Sequence, residues 1–259
     1  MNPIHTIIAV TVLAACALPS LAADLTAAQV KQILSTSERE SSAALAGKDL
    51  SRLELSRQDF QRANLVRSSL FASKLVQCDF SGANLSGVNL NGAWLMGTNF
   101  SGADLSGASL MSVVILGGDV KARPNFRNAN LSGARIIAEL DGADLSHANL
   151  SGARLGVDIK NQGMGQMRTN LTKANLEGAN LSGADANRTL LRFANLKDAN
   201  LRDTELFRAD LSGADLTGAD LTGANLDEAD ISGTIFKSVR GLDAVKNLDR
   251  AAHRDRAKF

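Results

Sequence analysis

The sequence predicts an all-β solenoid, a chain of short extended pieces and turns that wind and stack on one another. Three observations predict it. A leucine or a close substitute recurs at every fifth residue through most of the chain. The residues around each such centre repeat one unit, best seen in SGADLTGADLTGANL from Ser212 to Leu226: small, Asn or Asp, Leu, Ser or Thr, Gly. The composition, with no tyrosine, one tryptophan and nine phenylalanines in 259 residues, asks for a core assembled from small repeating pieces. A period of five matches neither the 3.6 of a helix nor the 2.0 of a flat strand. Glycine and Asn or Asp every few residues deny a long helix. One such unit cannot bury its apolar side alone, so the units must stack.

Residues 1–23 hold no Lys, Arg, Asp or Glu. The apolar run IIAVTVLAACAL, then Pro19 and the small-residue end SLAA, reads as a secretory signal peptide cut near Ala22 or Ala23. The run is short for a membrane span. A second reading stays open. LAAC, Leu13 to Cys16, has the form of a bacterial lipoprotein cleavage box, with Cys16 as the lipidated N-terminus. Only in that case is the chain expected at a membrane. Residues 24–44 predict an N-terminal helical cap. Thr26 and Gln29 have the spacing of a capping box behind the staple residue Leu25. Val30, Ile33 and Leu34 then form one helical stripe.

The repeat fills residues 45–236. Centres fall at Leu50, Leu55, Phe60, Leu65 and onward to Ile115 and Val120. One residue is inserted before Phe126, Leu131 and Ile136, and one is dropped before Leu140, Leu145, Leu150 and Leu155. The next centre, Leu171, comes sixteen residues after Leu155, and the rhythm then holds to Phe236 with Ala186 as a small centre. Two interruptions result, 116–125 and 156–170. Counted this way, both leave the solenoid at one corner, two full coils apart. Cys78 stands in a slot otherwise held by alanine and reads as a small core residue. Residues 237–259 predict a C-terminal helical cap, with Leu242, Val245 and Leu248 on one helical face. That segment holds seven Lys or Arg against three Asp or Glu, so its outer face suits solvent, a second copy of the chain in a homodimer, or an anionic surface.

These residues resemble the pentapeptide-repeat family, whose motif is A-(D/N)-L-x-x. The resemblance implies a right-handed quadrilateral β-helix with four units, roughly 20 residues, per coil. It implies about nine to ten coils and a rod roughly 45 Å long at ~4.8 Å per coil. Some members of that family are gyrase-binding, quinolone-protecting proteins with acidic rods that resemble DNA. This chain departs from them in its balance of 28 Lys and Arg against 27 Asp and Glu, and in its leader. The same balance argues against nucleic acid as a partner.

Catalysis and cofactors find little support. The histidines are His5, His147 and His253, and no nucleophile, base and orienting group can be assembled from them. There is no phosphate-binding loop and no Cys/His cluster, so no catalytic residue, cofactor or metal is expected. Met164 and Met167 offer two soft ligands without a third, which suits packing or contact better than a metal. From Asp198 to Asp230 the chain holds nine acidic residues and two arginines. Arg52, Arg57, Arg62 and Arg67, five apart, ring one coil.

The outward positions show one apolar exception. By the count above, Val76, Met96, Leu116 and Ile137 stack in a column, with Trp94 and Val114 beside them and Phe71 and Met111 on the neighbouring face. Contiguous exposed apolar surface marks an interaction site. Trp94, Met96, Val114, Leu116 and Ile137, with Met164 and Met167 above, therefore form a candidate protein-binding set. Alternatively the interruptions or the N-terminal helix cover the column as a satellite core, and the exposure of Trp94 and Met96 distinguishes the two. The expected function is a non-enzymatic, exported structural or protein-interaction module. If the N-terminus is not a signal peptide, the alternative is a DNA-mimicking gyrase-binding protein.

Overall fold

The computed structural model describes residues 23–36, 44–115, 122–156 and 168–259. Its backbone is held by four parallel ladders, which begin at Asp49, Glu54, Asp59 and Asn64. Asp49 pairs with Ser69, Glu54 with Lys74, Asp59 with Asp79 and Asn64 with Asn84. One coil is therefore twenty residues with four sides. The sides are named here by those first residues. Most steps are single bridges. Among the described residues only Ser109–Met111 (β1) and Arg135–Ile137 (β2) lengthen into strands, paired in parallel with Leu110 opposite Ile136.

Each part of the five-residue unit has a place. The centres are buried, and from Ala63 to Thr234 so is the residue two positions before each of them. Corners form where the amide three residues past a centre donates to that centre's carbonyl, as Ala63 does to Phe60 at 3.0 Å. The Asn or Asp before a centre fixes the same corner, because its Oδ1 accepts from the amide two residues on, as Asp79 does from Ser81 at 2.9 Å. Where the residue is Asn, its Nδ2 also donates to the coil below, Asn99 to Asp79 at 3.0 Å and Asn200 to Asn180 at 2.9 Å. The polar slot thus satisfies itself without water.

The core tolerates small polar groups on the same terms. Thr98 Oγ1 donates to the Leu75 carbonyl and Thr204 Oγ1 to that of Leu181, both at 2.8 Å. Cys78 fits the alanine slot in the same way, with Sγ 2.9 Å from the Leu55 carbonyl. Burial pushes its thiol up to about 12, which leaves it inert as a nucleophile. On the Asp59 side the centres Phe60, Phe80, Phe100 and Phe126 stack ring on ring, with centroids 4.4, 5.2 and 5.0 Å apart.

At the N-terminal end, Ala27–Leu34 forms helix α1. Thr26 Oγ1 accepts from the Gln29 amide, and Gln29 Oε1 accepts from the Thr26 amide. Val30 and Leu34 join the core cluster of the rod. The C-terminal segment departs from the expected helix face. Arg240, Lys246, Ala252 and Lys258 pair in parallel with Asp220, Asn225, Asp230 and Ile235, so the rod runs on through the end of the chain. Steps here are six residues, with 3₁₀ turns at Leu242–Ala244, Leu248–Arg250 and Arg254–Arg256. Left-handed backbone at Gly241, Asn247 and His253 interrupts any longer helix. Phe259 stacks on Phe236 with centroids 4.9 Å apart.

The first interruption corrects the unit count. Trp94 pairs with Val114 and Asn99 with Asn125, so the Asp59 side follows directly on the Glu54 side across the break. Counting Val120 as a centre therefore adds one unit too many. The second interruption lies between Leu155, on the Asp49 side, and Asn170, which pairs with Glu139 on the Glu54 side. The two breaks sit at neighbouring corners rather than one.

Candidate functional site

Three sides keep their ladders from coil to coil. The Glu54 side does not. It runs Glu54, Lys74, Trp94, Val114, and then resumes as Glu139, Asn170, Leu190, Asp210 and Asp230. Among the described residues Val114 and Glu139 do not pair with each other. The step at the break is short, because the centres Ile136 and Leu140 are four residues apart where the regular coils use five. The coil is short there, and the ladder of this side is interrupted. A cavity of about 370 Å³ lies on this side, lined by Ser112, Val113, Ile137, Ala138, Glu139, Arg168 and Leu190.

Beside this seam lies an apolar edge, at the corner between the Asp49 and Glu54 sides. Ala72 stands beneath Gly92, so Phe71 and Trp94 flank the same corner in successive coils. Phe71 is 39% and Trp94 40% exposed. A cation lies over each ring, with the Arg52 guanidinium 6.0 Å from the Phe71 centroid and Lys74 Nζ 5.7 Å from that of Trp94. Lys74 is also held by Glu54 at 3.2 Å. The Gly92 amide donates to the Met111 carbonyl, which sets half-buried Met111 and Val114 on the next coil of this edge.

The sequence-derived column therefore divides. Trp94 is exposed and Val114 half-buried, as a contact surface needs. Met96 and Ile137 are only 4% and 5% exposed and cannot serve as contact residues. Two contacts account for this. The Gly97 amide donates to the Ala122 carbonyl, which brings the returning chain beside Met96. Ile137 pairs with Met111 rather than lying above Leu116, and the buried Thr169 hydroxyl sits 2.5 Å from the carbonyl of Ile136. Leu116, Met164 and Met167 lie outside the described residues. Val113, Ala138, Glu139, Arg168 and Leu190 escape a reading by sequence alone. The signals that point to them are the four-residue step and an apolar Leu190 in a slot that most units fill with Asn or Asp.

Much of the acidic run is paired with basic side chains of neighbouring coils. Arg192 pairs with Asp210, Lys197 with Asp215 and Arg202 with Asp220, each reaching from one coil to the next at 3.3–3.4 Å. Arg208 and Arg250 both reach Glu228, and Arg250 also lies 2.9 Å from Asp227. His253 Nδ1 is 3.0 Å from Asp230. These exposed pairs are screened by solvent and each contribute little. The Thr222 hydroxyl and amide hold the Asp220 carboxyl below its ordinary 3.8, with Arg202 adding to the effect. Ser51 does the same for Asp49 and Ser56 for Glu54. Depressed carboxylates stabilise the fold above their unfolded pKa, and that stability is lost as pH falls through the folded values. Thermal melts followed by circular dichroism are expected to show a level melting temperature from neutral pH to about pH 5, then a fall below about pH 4. A melting temperature that rises below pH 4 would contradict this.

Comparison with known proteins agrees with the repeat. The family model of pentapeptide repeats matches in eight copies, over residues 63–102, 73–111, 138–156, 169–206 and 204–240. None of the curated proteins matches the chain. Among solved structures it is similar to HetL, a pentapeptide repeat protein involved in heterocyst differentiation regulation in the cyanobacterium Nostoc sp. strain PCC 7120. That match has 29% identity, covers 91% of this chain and 100% of that one, and has a TM-score of 0.44. It is also similar to QnrB1, a plasmid-mediated fluoroquinolone resistance protein, at 20% identity over 77% of this chain and 86% of that one, with a TM-score of 0.39. A pentapeptide repeat protein of the Arabidopsis thaliana thylakoid lumen matches at 30% identity over 42% of this chain and 66% of that one, with a TM-score of 0.26. The matched repeats span more than half of the 259 residues, and the chain belongs to the pentapeptide-repeat family.

Proposed function

We propose that the protein is a non-enzymatic, exported module whose right-handed rod presents the edge of Phe71, Trp94, Met111 and Val114 to another protein. One observation carries this reading: two large aromatic rings, each partly exposed beneath a cation, share one corner of successive coils. Trp and Arg are the side chains that most often dominate binding energy at protein interfaces. The rod holds them without reorganisation, which lowers the cost of association. Export rests on the leader composition of residues 1–23 and puts the mature chain in the periplasm or outside the cell, lipid-anchored if Cys16 is modified. The DNA-mimic alternative is weakened by the cations paired with Asp210, Asp215, Asp220, Asp227 and Glu228. A homodimer through the C-terminal coil is not favoured, because Arg250 and His253 are engaged with the coil below.

The test combines fractionation with crosslinking in the exporting cell. N-terminal sequencing is expected to find a mature chain that starts near residue 23 or at a lipidated Cys16. A photo-crosslinking residue in place of Phe71 is expected to trap a protein adduct. The Phe71→Ala, Trp94→Ala double variant is expected to weaken that partner's binding by roughly a hundredfold at an unchanged melting temperature. A chain found in the cytoplasm starting at Met1 removes export from the reading. Unchanged binding by the double variant removes the edge.

A further inference from the structure

We infer that the Glu54 side binds a second copy of this chain, antiparallel, about a two-fold axis at Glu139. This rests on the reading of the Phe71–Val114 edge as a contact surface and names what covers it. Four large apolar side chains are exposed among the described residues, and three of them, Phe71, Trp94 and Phe193, border this one side. Half-buried Leu190 and Phe207 carry the apolar surface on toward the C-terminal coils. The edge alone covers two coil steps, about 10 Å, which is short for a stable interface of ~800 Å² per partner. From Phe71 to Phe207 the strip covers six steps, about 29 Å.

The order of the ladder decides the occupant. It runs Glu54, Lys74, Trp94, Val114, Glu139, Asn170, Leu190, Asp210 and Asp230. A two-fold axis in the interface, perpendicular to the rod at Glu139, sets each position against its counterpart counted from the other end. Trp94 then meets Leu190 of the second copy, and Lys74 meets Asp210. The same axis keeps each corner of the side against itself. Phe71, two residues past Ser69, therefore meets Phe207, two past Glu205, and Arg52 meets Glu228. Phe193 meets the corner at Gly97, which has no side chain in its way. Apolar groups fall on apolar groups, and cations fall on carboxylates. A parallel pair would instead set Lys74 against Lys74 and Asp210 against Asp210. Two positions of the antiparallel pair meet like charge, and each is compensated within its own chain. Glu54 meets Asp230, but Lys74 holds Glu54 at 3.2 Å and His253 Nδ1 lies 3.0 Å from Asp230. Glu139 meets its own copy, with its Oε2 accepting from Asn170 Nδ2 at 2.6 Å and Arg168 lining the same depression.

Sedimentation equilibrium of the purified exported chain is expected to show a monomer–dimer equilibrium. Trp94, the sole tryptophan, reads the same event: its emission is expected to shift to the blue as concentration rises through the dissociation constant. Leu190→Asn is expected to weaken the dimer at least tenfold and to move that shift to higher concentration by the same factor. Leu190 lies four coil steps, about 19 Å, from Trp94 in the same chain, so the second copy is what couples them. Asn already fills that slot at Asn170, so the variant keeps the fold. Lys74→Glu is expected to weaken the dimer about tenfold, and Asp210→Lys added to it to restore the parent affinity. Phe71→Cys together with Phe207→Cys is expected to give a covalent dimer under diamide, joined 71 to 207. Neither cysteine alone is expected to do so, because residue 71 of one copy lies about 29 Å from residue 71 of the other. A chain that stays monomeric, a covalent dimer from Phe71→Cys alone, or an unchanged affinity in Leu190→Asn overturns the antiparallel pair. If the chain is monomeric and a photo-crosslinking residue at Phe71 traps a different protein, the contact surface stands and the second copy falls. If it is monomeric and that residue traps nothing, both fall.

Discussion

Replacing Phe80 with alanine is expected to cost about 3–5 kcal/mol of stability, the largest loss from any single truncation in the rod. Phe80 is fully buried between Phe60 and Phe100, with centroids 4.4 Å and 5.2 Å away and rings within 12° of parallel. The backbone cannot close the resulting void, because the ladder bridges Asp59–Asp79 and Asp79–Asn99 fix the layer spacing on that side. The cost therefore combines lost transfer energy with a cavity that stays open. Phe80→Leu, which restores a centre of the type used on the other sides, is expected to cost about 1.5 kcal/mol or less. A solenoid coil touches only its neighbours, so the defect also weakens coupling between the first coils and the rest. Urea unfolding followed by circular dichroism and by the fluorescence of Trp94, the sole tryptophan, checks both points. The Trp94 transition is expected to precede the backbone transition in Phe80→Ala and to coincide with it in the parent. A loss below about 1 kcal/mol, with coincident transitions, would show that the phenylalanine stack carries no special share of the core.

The sequence makes some levels of this structure legible and hides others, for physical reasons. The five-residue period reads directly into buried centres because each unit makes the same local turn, closed by its own Asx bond. Thr26 and Gln29 are equally readable, since a capping box needs only residues three apart. The C-terminal coil is not readable in the same way. Leu242, Val245 and Leu248 are three apart, a spacing that suits a helix face and also suits two apolar residues per six-residue step. Only the left-handed corners at Gly241, Asn247 and His253 decide between these. The register across residues 115–126 is hidden for a related reason. An apolar Val120 looks like a centre, while the pairing of Asn99 with Asn125 is a non-local fact. The candidate edge is half legible. Phe71 and Trp94 stand out as rings in polar slots, but the burial of Met96 and Ile137 depends on where the chain returns at Ala122 and Thr169. The break in the Glu54-side ladder is a missing pairing and has no local signature beyond the short step between Ile136 and Leu140.

Gly213→Ala and Gly183→Ala are expected to differ although they change the same position of the five-residue unit in the same way. Both glycines have left-handed backbone, φ 69° and 62°, so alanine at either costs roughly 1–2 kcal/mol. Corners of this rod hold non-glycine residues in that conformation, Arg188 and Phe193 among them, so neither substitution is expected to unfold the protein. The difference lies one coil below. A Cβ at residue 213 meets Phe193 Cδ1 at 2.5 Å and Cε1 at 2.6 Å, whereas a Cβ at residue 183 meets nothing within 4 Å. The Phe193 ring is 59% exposed and sets its Cδ1–Cε1 edge against the glycine, so it must swing off the rod to make room. That adds about 1–3 kcal/mol to Gly213→Ala alone, for a total of roughly 2–5 kcal/mol. Phe193→Ala in the Gly213→Ala background is expected to return the cost to that of Gly183→Ala, a coupling that a double-mutant cycle by urea unfolding measures. His147 lies over Gly178 in the same manner, with Nδ1 2.5 Å from the added Cβ, so the pair His147 and Gly178 gives an independent repeat of the experiment. If Gly213→Ala costs no more than Gly183→Ala, the ring moves freely. In that case a bulky corner residue places no demand on the coil above it. If the coupling is found, the glycines of this rod divide into those needed only for their backbone and those that also serve as seats for a side chain one coil below.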